Sequence, residues 1–150
     1  MKQQNFISGK FLSLSGERNL TKHIFMFTGK CSDKESAETF ARIAENKGYQ
    51  TISFDLPEHG ERKDENYRCD IWNGISDLHQ ISSYTFANWK LVSLFACSLG
   101  AYFSLQTYKD ITFEKCFFLS PIVNMEYLIK TCSSGFMSRK KCFIPKEKFQ

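Results

Sequence analysis

A single serine carries the strongest chemical signal in this chain. Ser98 follows the apolar run Leu91-Val92-Ser93-Leu94-Phe95-Ala96-Cys97, and a helix-like stretch begins at Leu99. A hydroxyl lifted off the end of a buried strand is placed to attack a carbonyl carbon. The turn that lifts it strains the serine backbone and brings the residues two before and two after it together, so both must be small. Ala96 and Gly100 meet that demand, and Ala101 keeps the next position small. The pentad Ala96-Cys97-Ser98-Leu99-Gly100 is a variant of G-x-S-x-G with alanine in first place. Small residues flank serines in many settings, so the surrounding elements decide what the pentad means.

Those elements alternate. Phe6 to Ser15, broken by Gly9, reads as a hairpin of two short strands. Ile24-Phe25-Met26-Phe27 is a continuous apolar run, the pattern of a strand buried on both faces of a parallel sheet, and it ends at the turn Thr28-Gly29-Lys30. Ser32 and Glu35 have capping-box spacing, and Ala37, Phe40, Ala41 and Ala44 continue at helical spacing toward Gly48. Thr51 to Phe54 is the next strand and runs into the polar loop Asp55 to Arg62. Ile71, Ile75, Leu78 and Ile81 stripe a second helix, expected over 69–85. After Ser98 come a helix to Tyr108, a strand over Lys115 to Leu119 closed by Ser120-Pro121, and a short helix over Asn124 to Lys130.

Strand–helix alternation of this kind predicts a mostly parallel α/β sheet with helices on both faces, joined by right-handed crossovers. Sites in such sheets gather beyond the carboxyl ends of the strands. The turn at Thr28, the loop at Asp55 and Ser98 all fall at that one edge.

Composition bounds the rest. With 150 residues, 42% hydrophobic and 24% charged, the chain suits one soluble domain. No apolar run approaches the roughly 18 residues needed to span a bilayer. The N-terminus lacks a signal-peptide core, so a cytoplasmic location without membrane attachment is expected. The six cysteines are irregularly spaced and form no C-x-x-C pair, which argues against a zinc site or a disulfide framework. Cys97 and Cys116 lie in apolar runs and are expected to be buried. Residues 1–130 read as one domain and 131–150 as a basic, poorly ordered tail, where the whole net charge of +4 resides. The aromatics near that tail do not interleave with its basic residues, which disfavours nucleic-acid binding.

Three stretches together resemble the α/β-hydrolase family, specifically serine esterases and serine aminopeptidase-like hydrolases. Phe27-Thr28-Gly29-Lys30 with Lys34-Glu35-Ser36 looks like the histidine-glycine turn after the third strand, with Thr28 in place of the usual histidine. Asp55-Leu56-Pro57-Glu58-His59-Gly60-Glu61 looks like the aspartate-x-proline-x-histidine-glycine loop after the fourth. Ala96 to Gly100 looks like the nucleophile elbow after the fifth. The likeness covers roughly residues 5 to 130 and implies the first six strands of that fold.

The resemblance implies Ser98 as nucleophile of an acyl-enzyme mechanism on an ester or amide, with no metal or organic cofactor. It implies an oxyanion hole from the backbone N–H of Leu99 and of Lys30, or alternatively Cys31. Asp55 and His59 would support the adjoining loop. His59 as general base is the lesser alternative, since histidine is also a common structural hydrogen-bonder.

The family's triad continues past the serine with an acid and then a histidine. Here His23, His59 and His79 all precede Ser98, and beyond Glu114 only Glu126 and Glu147 remain as carboxylates. The strands that would carry acid and base are missing, which we read as truncation by a frameshift or early stop. The chain alone is then expected to be inactive or very weak. A competing reading from another class is a non-catalytic binding module. Its unpaired edge strand near Phe117 would take up a complementary C-terminal fragment or self-associate.

Overall fold

The computed structural model describes residues 3–7, 10–15, 22–29 and 32–132. Six strands form one sheet: β1 (Gln3–Ile7), β2 (Lys10–Ser15), β3 (Lys22–Phe27), β4 (Tyr49–Phe54), β5 (Leu91–Cys97) and β6 (Cys116–Leu119), in the order β1-β2-β4-β3-β5-β6. The expected hairpin is present, with Phe6 opposite Phe11, and β2 lies antiparallel to β4. From β4 through β3 and β5 to β6 all pairing is parallel.

The continuous apolar run predicted a strand covered on both sides, and residues 24–27 are all buried. Phe25 and Phe27 face a core completed by Ile52, Phe54, Leu94 and Ala96 from the neighbouring strands and by two helices. These are α2 (Ile71–Asn88), which contributes Leu78 and Ile81, and α3 (Ser98–Thr107), which contributes Leu99 and Phe103. Burying side chains such as Phe25 and Phe27 is worth about 1.5–3 kcal/mol each. On the opposite face lies α1 (Glu38–Glu45), preceded by a 3-10 turn over Lys34–Ala37. Its side includes Phe40, whose ring packs 4.6 Å from that of Phe95. Helices therefore cover both faces. A last helix, α4 (Met125–Cys132), follows β6.

Three local expectations shift. The helical segment after β3 is capped by Asp33 rather than Ser32, because the Asp33 carboxylate accepts the Ser36 N–H at 2.9 Å. The second helix begins at Ile71, where Asp70 accepts from the Asn73 N–H at 2.9 Å, and runs on to Asn88. Cys116, expected inside, is exposed, because β6 is an edge strand with no partner on its outer side among the described strands. The basic tail falls almost wholly at 133–150, outside the described residues.

Candidate active site

The turn at Ser98 is a sharp reversal of the backbone. β5 ends at Cys97 in extended conformation, and α3 begins at the next residue. Ser98 takes up the reversal with φ +48°, a left-handed conformation that costs a non-glycine residue of order 1–3 kcal/mol. The surroundings hold it there. The Gly100 N–H donates to the Thr28 carbonyl at 3.2 Å. A Cβ on Gly100 would stand 2.6 Å from that oxygen and 2.8 Å from Phe27 Cβ, so only glycine permits α3 to approach β3 this closely. Ala96 is fully buried beside Phe27 in the β3–β5 register.

The turn after β3 comes up against this serine. A Cβ placed on Gly29 would meet Ser98 Cβ at 3.0 Å and Ser98 Oγ at 3.6 Å. Ser98 itself is half-buried, open enough to be reached and walled enough to be held. Leu99 is the second residue of α3, and first-turn N–H groups have no acceptor inside their own helix. Its amide therefore lies beside Ser98 with no acceptor within α3. Lys30 and Cys31, the expected sources of the second donor, lie outside the described residues.

Asp55 and His59 fold the neighbouring loop. Asp55 is fully buried and accepts three hydrogen bonds: from the Lys34 N–H at 2.7 Å, Lys34 Nζ at 3.1 Å and the Glu61 N–H at 3.1 Å. Gly60, at φ +53°, lies so close that a Cβ would fall 2.2 Å from Asp55 Oδ1. His59 is buried with Nδ1 2.7 Å from the Pro57 carbonyl, a loop-closing contact. Both side chains are thus engaged in hydrogen bonds at this loop, Asp55 with Lys34 and Glu61 and His59 with Pro57.

Sequence reasoning missed the charges beneath this loop. The Lys34 side chain is fully buried, and its Nζ also reaches Glu61 at 3.0 Å and Glu35 at 3.3 Å. Burial pushes the ammonium pKa down, but hydrogen bonds to Glu61 and Asp55 outweigh it and hold it above the usual lysine range. Arg62 is buried as well and bridges the Asp55 carbonyl, at 3.0 Å, to the Asp77 carboxylate of α2. The Tyr67 hydroxyl donates to Asp77 at 3.0 Å. Burial, followed by the Asp77 charge, pushes the Tyr67 phenol up to about 12. One signal existed: Asp77 falls on the same helical stripe as Gly74, Leu78 and Ile81, a face that would otherwise be apolar.

His23 is buried in β3 among aromatic rings, and His79 is exposed on α2. Among the described residues, no three His, Cys, Asp or Glu side chains gather as a metal would require. No helix there is long and apolar enough to cross a membrane.

No family model matches the sequence, and no curated protein does. Solved structures do. GrgF from Penicillium sp. sh18, described as an alpha/beta hydrolase, superposes with TM-score 0.67 at 14% identity, over 83% of this chain and 46% of its own. This chain has the α/β-hydrolase fold. Est1E from Butyrivibrio proteoclasticus, solved with ferulic acid bound, matches at TM-score 0.67 and 14% identity, over 86% of this chain and 56% of its own. A thermostable carboxyl esterase from Bacillus coagulans matches at 0.60 and 10% identity, over 79% and 43%. The chain spans between 41% and 69% of the lengths of the structures compared, so the fold here is incomplete relative to theirs.

Proposed function

We propose that this chain carries the nucleophile half of a serine ester hydrolase site. The observation supporting it is Ser98, held at φ +48° where β5 turns into α3 and faced by Gly29. In this reading Ser98 Oγ attacks the carbonyl carbon of a carboxylic ester, or of an amide, and its proton passes to a base. The tetrahedral oxyanion is stabilised by the Leu99 N–H and by an amide of the turn after β3. Collapse expels the alcohol or amine, which takes a proton, and water then hydrolyses the acyl-serine. In this reading the base and its orienting acid come from polypeptide that follows β6. The free thiols of Cys69, Cys97 and Cys116 suit a reducing compartment such as the cytoplasm.

A fluorophosphonate probe tests this reading, with the labelled residue located by mass spectrometry. Removing one triad member still leaves residual catalysis of about 10³–10⁴ over water, so slow labelling concentrated at Ser98 is expected, and Ser98→Ala should abolish it. Labelling of Ser98 no faster than exposed serines such as Ser76 or Ser83 would end the hydrolase reading.

A second reading is favoured by β6. Phe117 is 50% and Leu119 55% exposed, on a strand whose outer edge is unpaired among the described residues. Such an edge is a template for another strand. The compared structures run to greater length, which favours a complementary polypeptide that extends the parallel sheet. Sedimentation of the chain tests this. A species that shifts on adding such a fragment supports the reading. Pairing of the chain with itself, lost in Phe118→Lys, points to self-association instead, and a monomer indifferent to the fragment refutes both.

A further inference from the structure

Lys34 carries a charge and yet is only 1% exposed. Its bonds converge on the carboxyl end of β4. Its N–H and its Nζ both donate to the Asp55 carboxylate, and its carbonyl accepts from Ser53 Oγ at 3.0 Å. Main chain and side chain of one residue are thus fixed to one strand end.

The segment anchored in this way begins where the turn after β3 finishes. The Ser32 N–H donates to the Gly29 carbonyl at 3.3 Å. Preceding it, the Thr28 carbonyl accepts the Gly100 N–H at 3.2 Å, and Gly29 stands against Ser98. The turn therefore has two supports, α3 on one side and the Lys34 anchor on the other. A catalytic constellation must be held to within about 0.5 Å, which a surface turn tied at one end does not achieve.

We propose that Lys34 is a positioning residue: by tying the segment after the turn to the end of β4, it sets where Thr28 and Gly29 stand against Ser98. Its chemical consequence rests on the hydrolase reading, and its mechanical consequence does not. The ammonium does not touch substrate. It acts through Asp55, whose buried carboxylate also accepts the Glu61 N–H, so one clamp fixes two loops at the active edge.

Lys34→Met keeps the length of the side chain and removes the charge. Two readouts separate positioning from general support. The first is amide hydrogen exchange at Gly100, expected to speed up about ten-fold while Phe103, deeper in α3, is unchanged. The second is the rate constant for fluorophosphonate labelling at Ser98, expected to fall about ten- to hundred-fold with the final labelled fraction unchanged. A purely structural role would lower the labelled fraction and leave the rate constant of the folded molecules intact. That result, or unaltered protection at Gly100, overturns the proposal. Should Lys34→Met fail to fold, Ser53→Ala removes one bond to Lys34 and spares the ion pair. It is then expected to change both readouts in the same direction by about two- to five-fold, and no change overturns the proposal. If wild-type Ser98 takes no label at all, the hydrolase reading fails, and exchange at Gly100 alone decides the role of Lys34.

Discussion

Replacing His23 with phenylalanine should remove a large part of the acid sensitivity of this fold. His23 is fully buried in β3, stacked on Trp89 at 4.3 Å and edge-on to Phe25 at 5.9 Å. Neither ring nitrogen has a hydrogen-bond partner. Burial lowers its pKa from 6.5 to about 3. The sign follows from the two states. Below pH 6.5 the unfolded chain takes up a proton at this ring, whereas the folded chain does not until about pH 3. Unfolding therefore consumes a proton in that window, and acid favours it. The stability is fully present above pH 6.5 and falls by up to about 1.4 kcal/mol per pH unit below it. At pH 5, 1.5 units lower, the loss is about 2 kcal/mol, against a total of about 5–15 kcal/mol for a domain.

The assay is urea unfolding of wild type and His23→Phe at pH 8, 7, 6 and 5. Taking the difference between the two proteins at each pH cancels the carboxylates they share. That difference should be flat from pH 8 to 7 and then widen in favour of the variant by about 2 kcal/mol at pH 5. In melting experiments the same change is about 4–8 °C for a chain of this length. A difference that stays constant down to pH 5 would show that the imidazole is solvated or paired in the folded protein, and the reasoning would fail.

Three further outcomes follow from the site. Gly60→Ala drives a methyl into the Asp55 carboxylate at 2.2 Å while keeping φ near +53°, so it should destabilise by more than the roughly 1–3 kcal/mol of backbone strain alone, read by urea unfolding. Arg62→Met leaves the Asp77 carboxylate buried without its guanidinium and should cost about 3–5 kcal/mol in the same assay. Ser98→Gly relieves the left-handed φ of +48°, so it should raise the melting midpoint by about 1 kcal/mol equivalent while abolishing probe labelling.

Much of the architecture was legible from local pattern. The apolar runs at 24–27 and 91–96 announced covered parallel strands, because a strand between two layers of helix has no polar face to show. Ala96 and Gly100 announced the sharp turn at Ser98, because a reversal there excludes side chains from its flanks. Both are properties of neighbouring residues and survive being read one stretch at a time. The clamp from Lys34 to Asp55 joins residues 21 apart, and the one from Arg62 to Asp77 joins residues 15 apart. Either pair could have been solvated surface charge. Only the packing of loop against strand end and helix takes them out of water and makes each carboxylate depend on its cation. His23 likewise reads as an ordinary polar residue ahead of a strand until Trp89 is brought over it. Local sterics and hydrophobic period wrote the sheet and the turn at Ser98 into the chain, whereas the partners of its buried charges were decided by strand register and loop path, which no short stretch encodes.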